Sequence, residues 1–182
     1  MLPKQKQLVC RKNHMKPTTQ VPDLHLRLIN DTEWTLKKQQ PASFTLLLFY
    51  RGLHCPICKK QLEDLASHLG ELTKLGVYVT AISMDTEERA KQTGKEWATG
   101  NLPIAYNLTQ KDAKSYGLYL SNAISEKEPE LFSEPGLFLI KPDGSLYFST
   151  IQTTPFTRPS IRELIKSIVF IQKENYPARG AY

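Results

Sequence analysis

The chain has 182 residues, of which 40% are apolar and 23% charged. These proportions are typical of one globular domain with a substantial core. No stretch approaches the roughly 20 apolar residues that a membrane-spanning helix needs, and the N-terminal segment lacks the apolar region of a secretory signal. Three cysteines are too few for a secreted disulfide scaffold. We therefore expect a cytoplasmic protein.

The formal net charge of +6 is concentrated at the N-terminus. Five basic residues precede the first acidic residue: Lys4, Lys6, Arg11, Lys12 and Lys16. Because the excess lies in a tail and not on a patterned face, we expect neither nucleic acid nor a membrane as a partner. The predicted organisation is a basic, poorly ordered tail at 1–20, one domain at 21–177 and a C-terminal tail at 178–182.

Apolar patterning predicts the elements of the first half of the chain. Alternating leucines predict an N-terminal hairpin with strands at 24–28 and 34–36. The continuous apolar run at 44–50 predicts a strand buried on both faces, as in a parallel sheet covered by helices. A helix is expected from Pro56, which suits a first helical position, to a stop at Gly76. Its buried face carries residues at steps of three and four: Cys58, Leu62, Leu65, Leu69 and Leu72.

The next elements alternate between strand and helix. Residues 77–82 predict a second buried strand. Asp85 followed by Glu88 resembles a capping box that opens a helix toward residue 98. A short edge strand is expected at 104–106 and a short helix at 111–116.

The last third of the chain predicts a hairpin and a final helix. Residues 121–134 contain four glutamates and little apolar periodicity, so we expect a loop. Strands at 136–140 and 145–149 flank a Pro-Asp-Gly turn, and an amphipathic helix is expected at 161–169. The order of elements predicts an α/β fold in which helices flank a central mixed sheet.

The pair Cys55 and Cys58 lies where the first buried strand gives way to a helix. The unpaired N–H groups and partial positive charge of a helix N-terminus favour a thiolate there, and the thiolate is the reactive form of cysteine. Cys55, at the cap, is expected to be the more exposed and attacking thiol, and Cys58 the buried, resolving one. Arg51 and His54 either add positive potential or are ordinary loop residues.

Two other interpretations of the cysteines exist. Cys10 and His14 together with Cys55 and Cys58 could bind structural zinc, but a zinc knuckle does not normally open a helix after a buried strand. Alternatively, the paired thiols are inert core residues, which conflicts with their position at a helix entrance. The pattern favours redox chemistry over both.

The segment 49–58 resembles the active-site segment of the thioredoxin-like superfamily. It is most similar to the peroxiredoxin-like branch of the alkyl hydroperoxide reductase and thiol-specific antioxidant (AhpC/TSA) family, and the likeness extends over about 22–177. The resemblance implies a thioredoxin-like three-layer sandwich. Residues 134–140 resemble the thioredoxin segment that opens with a cis-proline, which lies against the cysteine pair and binds substrate. Although most X–Pro bonds are trans, the resemblance implies that Pro135 is cis and binds substrate.

Departures from the family pattern bear on the reaction. Peroxiredoxins carry Thr or Ser three residues before the peroxidatic cysteine and Pro seven residues before it. Aligned on Cys58, these positions are Cys55 and Arg51, and the family's later catalytic arginine falls at Pro135. We therefore expect a thiol–disulfide oxidoreductase first. The alternative is a thiol peroxidase that reduces hydroperoxides, with Cys58 peroxidatic and Cys55 resolving.

A third hypothesis is a redox-silent binding module on a thioredoxin-like scaffold, with 121–134 as its partner surface. The sequence contains no phosphate-binding loop, dinucleotide fingerprint or metal motif, so no cofactor and no metal are expected. The expected substrates are a protein disulfide, a small thiol or a hydroperoxide. Electrons would come from a thioredoxin- or glutathione-type reductant. The sequence does not decide between a monomer and a homodimer.

Overall fold

The computed structural model of the chain describes residues 15–182. Cys10, His14 and most of the predicted basic tail lie outside the described residues. The strands are β1 His25–Leu28, β2 Glu33–Thr35, β3 Phe44–Phe49, β4 Val77–Ile82, β5 Ile104–Tyr106, β6 Leu120–Asn122, β7 Leu131–Ser133, β8 Gly136–Ile140 and β9 Leu146–Ile151. The α-helices are α1 Pro56–Ser67, α2 Leu69–Lys74, α3 Glu87–Glu96, α4 Gln110–Ser115 and α5 Ile161–Glu174.

A seven-stranded mixed sheet forms the centre of the molecule, in the order β2-β1-β5-β4-β3-β8-β9. Strands β3, β4 and β5 are parallel, and β8 and β9 add antiparallel to the β3 side. On the far side β1 pairs antiparallel with both β5 and β2. The predicted mixed sheet, flanking helices and N-terminal hairpin are confirmed.

Strand β3 is buried along its whole length, because core layers cover both faces of the sheet. Leu46 and Leu48 point into the layer that contains α1 and α5. Leu47 and Phe49 point into the opposite layer, which contains α4 and the N-terminal segment. Since successive side chains of a strand face opposite sides, the apolar run in the sequence matches this double burial. The strand is therefore a rigid support for the segment that follows it.

The single helix predicted from Pro56 to Gly76 is two helices, α1 and α2, with a break at His68. The Ser67 hydroxyl donates to the Asp64 carbonyl at 2.7 Å, and the His68 ring contacts the same carbonyl at 2.8 Å. Side chains that bond a carbonyl of the preceding turn compete with helix propagation. The apolar pattern continues across the break and did not reveal it.

Three other predicted elements need correction. The strand at 104–106 is not at an edge, because β5 lies between β1 and β4. The N-cap of α3 is Thr86, whose hydroxyl accepts from the Arg89 amide, whereas Asp85 turns its carboxylate elsewhere. The segment 121–134 is not only a loop, since β6 and β7 pair antiparallel in a small second sheet. Unlike β5, whose three residues are all buried, β6 and β7 include half-buried or exposed positions and so carry too little apolar pattern to be recognised.

Residues 18–20, at the end of the predicted tail, differ from that prediction. The Thr18 amide donates to the Leu146 carbonyl at 2.7 Å, and the Val21 amide donates to the Gly144 carbonyl at 3.1 Å. The chain is therefore attached to the β8–β9 turn before residue 21. None of the helices within residues 15–182 combines the length and hydropathy that crossing a bilayer requires.

Candidate active site

The cysteine pair lies at the N-terminus of α1, as the sequence predicts. Cys55 is the N-cap residue and Pro56 occupies the first turn. Cys55 and Cys58 form a disulfide, with their Cα atoms 5.2 Å apart. The Cys58 amide also donates to the Cys55 sulfur at 3.2 Å. An unpaired helix-terminal N–H thus reaches one of the two sulfurs directly.

Both cysteines are buried, which corrects the expectation that Cys55 is the more exposed. The exposed fraction is 1% for Cys55 and 0% for Cys58. Both residues belong to the core layer between the sheet and the helices α1 and α5. The cap of a helix usually faces solvent, but this cap lies among the buried residues of that layer. A reactant must therefore be small or must enter through a local opening.

Arg158 contacts the cysteine pair and was not identified from the sequence. Its Nη2 lies 3.3 Å from Cys58 Sγ, its Nη1 donates to Gln61 Oε1 at 2.7 Å, and its Nε donates to the Pro155 carbonyl at 2.7 Å. All three contacts are to neutral acceptors or to sulfur. A positively charged group is therefore held in a fixed orientation against the sulfur of Cys58.

Burial lowers the pKa of Arg158 to about 10, with an opposing contribution from Glu134 and a reinforcing one from Arg51. The guanidinium is still protonated at neutral pH. A cation beside a sulfur favours the thiolate over the thiol. Reduction of the disulfide would thus release a Cys58 thiolate that Arg158 stabilises.

Arg158 could not be found from the sequence because it lies 100 residues after Cys58. It belongs to the irregular segment between β9 and α5, where no spacing indicates which way a side chain points. The departure noted at Pro135, where the family places an arginine, suggested that no such donor exists. The fold supplies a guanidinium from a different segment.

Arg51 contacts two carboxylates and an aromatic ring. Its Nη2 lies 3.4 Å from Glu128 Oε1, its Nε lies 3.4 Å from Glu134 Oε2, and its guanidinium stacks over the Phe132 ring at 4.6 Å. Two carboxylates therefore balance its charge. Arg51 joins the loop before Cys55 to the β6–β7 hairpin.

His54 is also buried, with a side chain that is 3% exposed. Its ring lies 4.8 Å from the Phe132 ring, and its Nε2 is 4.0 Å from Glu128 Oε1. Burial, followed by the charge of Arg51, lowers the pKa of His54. The neutral imidazole is therefore favoured at neutral pH, which supports the alternative in which His54 adds no positive potential.

Pro135 lies at the edge of the sheet where β3 ends, because Phe49 pairs with Gly136. The expected cis bond is wrong, since residues 15–182 contain no cis peptide bond. The Pro135 carbonyl accepts from the Gln152 amide at 2.9 Å, which fixes the segment against the end of β9. The zinc alternative required Cys10 and His14, which the structure does not describe.

The comparisons with known proteins agree with this arrangement. The AhpC/TSA family model matches residues 17–149. The chain belongs to the AhpC/TSA family. The resemblance stated from segment 49–58 is thereby confirmed, as is the thioredoxin-like fold.

Individual AhpC/TSA relatives and solved structures show the same likeness. Alkyl hydroperoxide reductase C of Escherichia coli K12 is 31% identical over 108 residues, which cover 59% of this chain and 56% of the relative. The peroxidoxin BcpB of Mycobacterium tuberculosis superposes with a TM-score of 0.70 at 16% identity, covering 86% of this chain and 97% of that one. The reduced 2-Cys peroxiredoxin of Plasmodium vivax gives 0.73 at 17% identity, covering 89% and 85%.

The relatives and the solved structures are similar to this chain in different respects. The match to the curated reductase spans about half the length of that relative. The solved structures are similar in fold at low sequence identity. Membership of a family of thiol-based oxidoreductases follows from the family match. The particular reaction is a separate question.

Proposed function

We propose that this chain is a thiol peroxidase that reduces small hydroperoxides, with Cys58 as the peroxidatic cysteine and Cys55 as the resolving one. The observation that supports this proposal most is the Arg158 guanidinium at 3.3 Å from Cys58 Sγ. Family membership favours the same reaction. The order of the two enzymatic hypotheses drawn from the sequence is therefore reversed.

In the first step the Cys58 thiolate attacks one oxygen of the hydroperoxide ROOH. The O–O bond breaks, a Cys58 sulfenic acid forms, and the leaving RO⁻ takes a proton to become an alcohol or water. A guanidinium has five N–H donors, and three contacts of Arg158 use three of them. The remaining donors can stabilise the charge that develops on the leaving oxygen.

In the second step the Cys55 thiol attacks the sulfur of the Cys58 sulfenic acid. The Cys55–Cys58 disulfide forms and water leaves, so that the peroxide has been reduced by two electrons. The Cα separation of 5.2 Å lies within the usual range for a disulfide, so no large backbone movement is needed. An external dithiol or two thiols then reduce the disulfide and complete the cycle. A small thiol of the glutathione type fits this last step directly, whereas a thioredoxin-type reductant needs a local opening at the buried disulfide.

Burial of the sulfurs favours a peroxide over a protein disulfide as oxidant. With exposures of 1% and 0%, neither sulfur can reach the disulfide of a folded protein without local opening. A hydroperoxide with a small substituent is much smaller than a folded protein, and only its O–O group has to reach Cys58. Thiol–disulfide exchange is the second candidate function, and the disulfide between two cysteines at a helix N-terminus supports it.

The deciding experiment is stopped-flow mixing of the fully reduced protein with hydrogen peroxide and, separately, with a small disulfide, followed by a thiol count. Fast consumption of peroxide that ends in the Cys55–Cys58 disulfide supports the peroxidase. Slow reaction with peroxide beside ready reaction with the disulfide favours exchange. Inertness toward both would leave the redox-silent binding module.

A further inference from the structure

We infer that Asp85 is a positioning residue that holds the loop in front of Cys55 in the geometry needed for thiol chemistry. The inference rests on the proposed function in that it treats the cysteine pair as reactive. Asp85 lies just after the end of β4, and β4 pairs with β3. The Asp85 carboxylate therefore faces the loop that follows β3. The sequence suggested a role for Asp85 only in helix capping, and the structure gives that role to Thr86.

The carboxylate of Asp85 is fully buried and has two partners. Its Oδ2 accepts from the Leu53 amide at 2.8 Å, and its Oδ1 accepts from Arg89 Nε at 2.9 Å. The Asp85 side chain is 0% exposed, whereas that of Arg89 is 29% exposed. A buried charge is costly unless it is paired. Arg89 supplies that pairing from the first turns of α3, and the other oxygen is left to bind the active-site loop.

Gly52 shows how closely the loop lies against this carboxylate. A Cβ at Gly52 would be 2.7 Å from both Asp85 oxygens, which is too close for real atoms. Gly52 also has φ of +127°, a conformation that L-residues rarely adopt. The loop can pass over the carboxylate only because residue 52 has no side chain.

The contact leads directly to the nucleophilic segment. The Cys55 amide donates to the Gly52 carbonyl at 3.1 Å, so the turn that Asp85 fixes at residues 52 and 53 also fixes the backbone of Cys55. Cys55 in turn sets the start of α1 and the hydrogen bond from the Cys58 amide to its sulfur. Reacting groups must be held within fractions of an ångström for efficient catalysis. Asp85 holds the Cys55 backbone in place through residues 52 and 53 and does not itself take part in the reaction.

The test compares Asp85→Ala and Asp85→Asn with wild type in the full-length protein. Two readouts are taken well below the unfolding temperature: the rate of peroxide consumption, and the pH profile of iodoacetamide alkylation of the reduced cysteines. We expect Asp85→Ala to lower the peroxide rate about 10- to 100-fold, as small misplacements of reacting groups do. Its alkylation profile should shift in the same preparation. Asp85→Asn keeps an oxygen for the Leu53 amide, so we expect it to retain most of the rate.

The matched control is Asp143→Ala. Asp143 also binds a neighbouring backbone amide, that of Ser145 at 2.9 Å, but it lies in the β8–β9 turn. We expect it to lose stability without change in either readout. A folded Asp85→Ala protein with wild-type rate and alkylation profile would overturn the inference.

A second variant covers the case in which Asp85→Ala does not fold. Gly52→Ala keeps the carboxylate and displaces the loop from it, and we expect the same loss of rate and the same change in alkylation. If folded Gly52→Ala matches wild type in both readouts, the inference is wrong. A wild-type protein that does not react with peroxide contradicts the proposed function instead, and the alkylation profiles still decide the role of Asp85.

Discussion

Replacement of Arg158 by Ala removes the guanidinium that contacts Cys58 Sγ. A hydrogen bond to a charged group contributes about 1.5–3 kcal/mol, and one pKa unit corresponds to about 1.36 kcal/mol. Loss of this contact should therefore raise the pKa of the Cys58 thiol by roughly one to two units. Since only the thiolate attacks, the peroxide rate at neutral pH should fall about 10- to 100-fold. Loss of the donors to the leaving oxygen adds to this decrease.

The assay is stopped-flow reaction of the reduced protein with hydrogen peroxide across a range of pH, together with iodoacetamide alkylation over the same range. Alkylation reports the thiolate alone, whereas the peroxide reaction also depends on the leaving oxygen. Arg158→Ala should shift the midpoint of both profiles to higher pH. It should also lower the peroxide rate at high pH, where the thiolate is fully formed.

Two further variants serve as controls. Arg158→Lys keeps a positive charge but cannot span Cys58, Gln61 and the Pro155 carbonyl together, so we expect an intermediate effect. Arg162→Ala removes an exposed arginine four positions later and should match wild type. The reasoning is refuted if Arg158→Ala keeps the wild-type midpoint and the wild-type rate at high pH.

Three further predictions concern the site. Cys58→Ser should abolish peroxide consumption, whereas Cys55→Ser should react once and stop at a sulfenic acid that dimedone labels; the opposite result exchanges the two roles. Arg51→Met leaves the carboxylates of Glu128 and Glu134 without their partner, so the free energy of unfolding should fall by about 3 kcal/mol. Hydrogen exchange in β6 and β7 should accelerate, and unchanged exchange would show that Arg51 does not hold this hairpin. Burial lowers the pKa of His54 below its ordinary value of 6.5. As the pH falls, the unfolded chain therefore takes up a proton at His54 at a higher pH than the folded protein does. The free energy of unfolding should accordingly decrease as the pH drops below about 6.5. His54→Gln should flatten that dependence in urea unfolding at neutral and acidic pH, and identical curves would contradict it.

Much of the fold could be predicted because its elements are long and periodic. The run at 44–50 and the spacing of leucines after Cys58 reflect burial that the structure confirms for β3 and α1. The errors fall where local polar contacts decide the backbone. At His68, competition for one carbonyl breaks a helix, and in 121–134 two strands of three residues each pair with little apolar signal.

The site was predictable only as far as neighbours in sequence determine it. Cys55, Pro56 and Cys58 could be placed together because strand, cap and helix follow one another directly. The positions of Asp85 and Arg158 depend on contacts across 32 and 100 residues. Such contacts arise from packing of whole elements and leave no pattern of spacing in the sequence. For the same reason the sequence suggests that Arg51 adds positive charge near the cysteines, whereas in the structure the distant Glu134 balances its charge.

The location of Arg158 also limits what the family match conveys about function. The match ends at residue 149, before Arg158, so it includes both cysteines and excludes the cation that contacts one of them. Arg158 reaches Cys58 because Ser160 caps α5 and because Ile161 and Leu164 bury that helix against the core layer that contains the cysteines. The cation and the nucleophile are therefore brought together by the docking of the last helix. Reactivity of Cys58 should consequently depend on the C-terminal segment, although the redox motif that can be recognised in the sequence lies at residues 55–58.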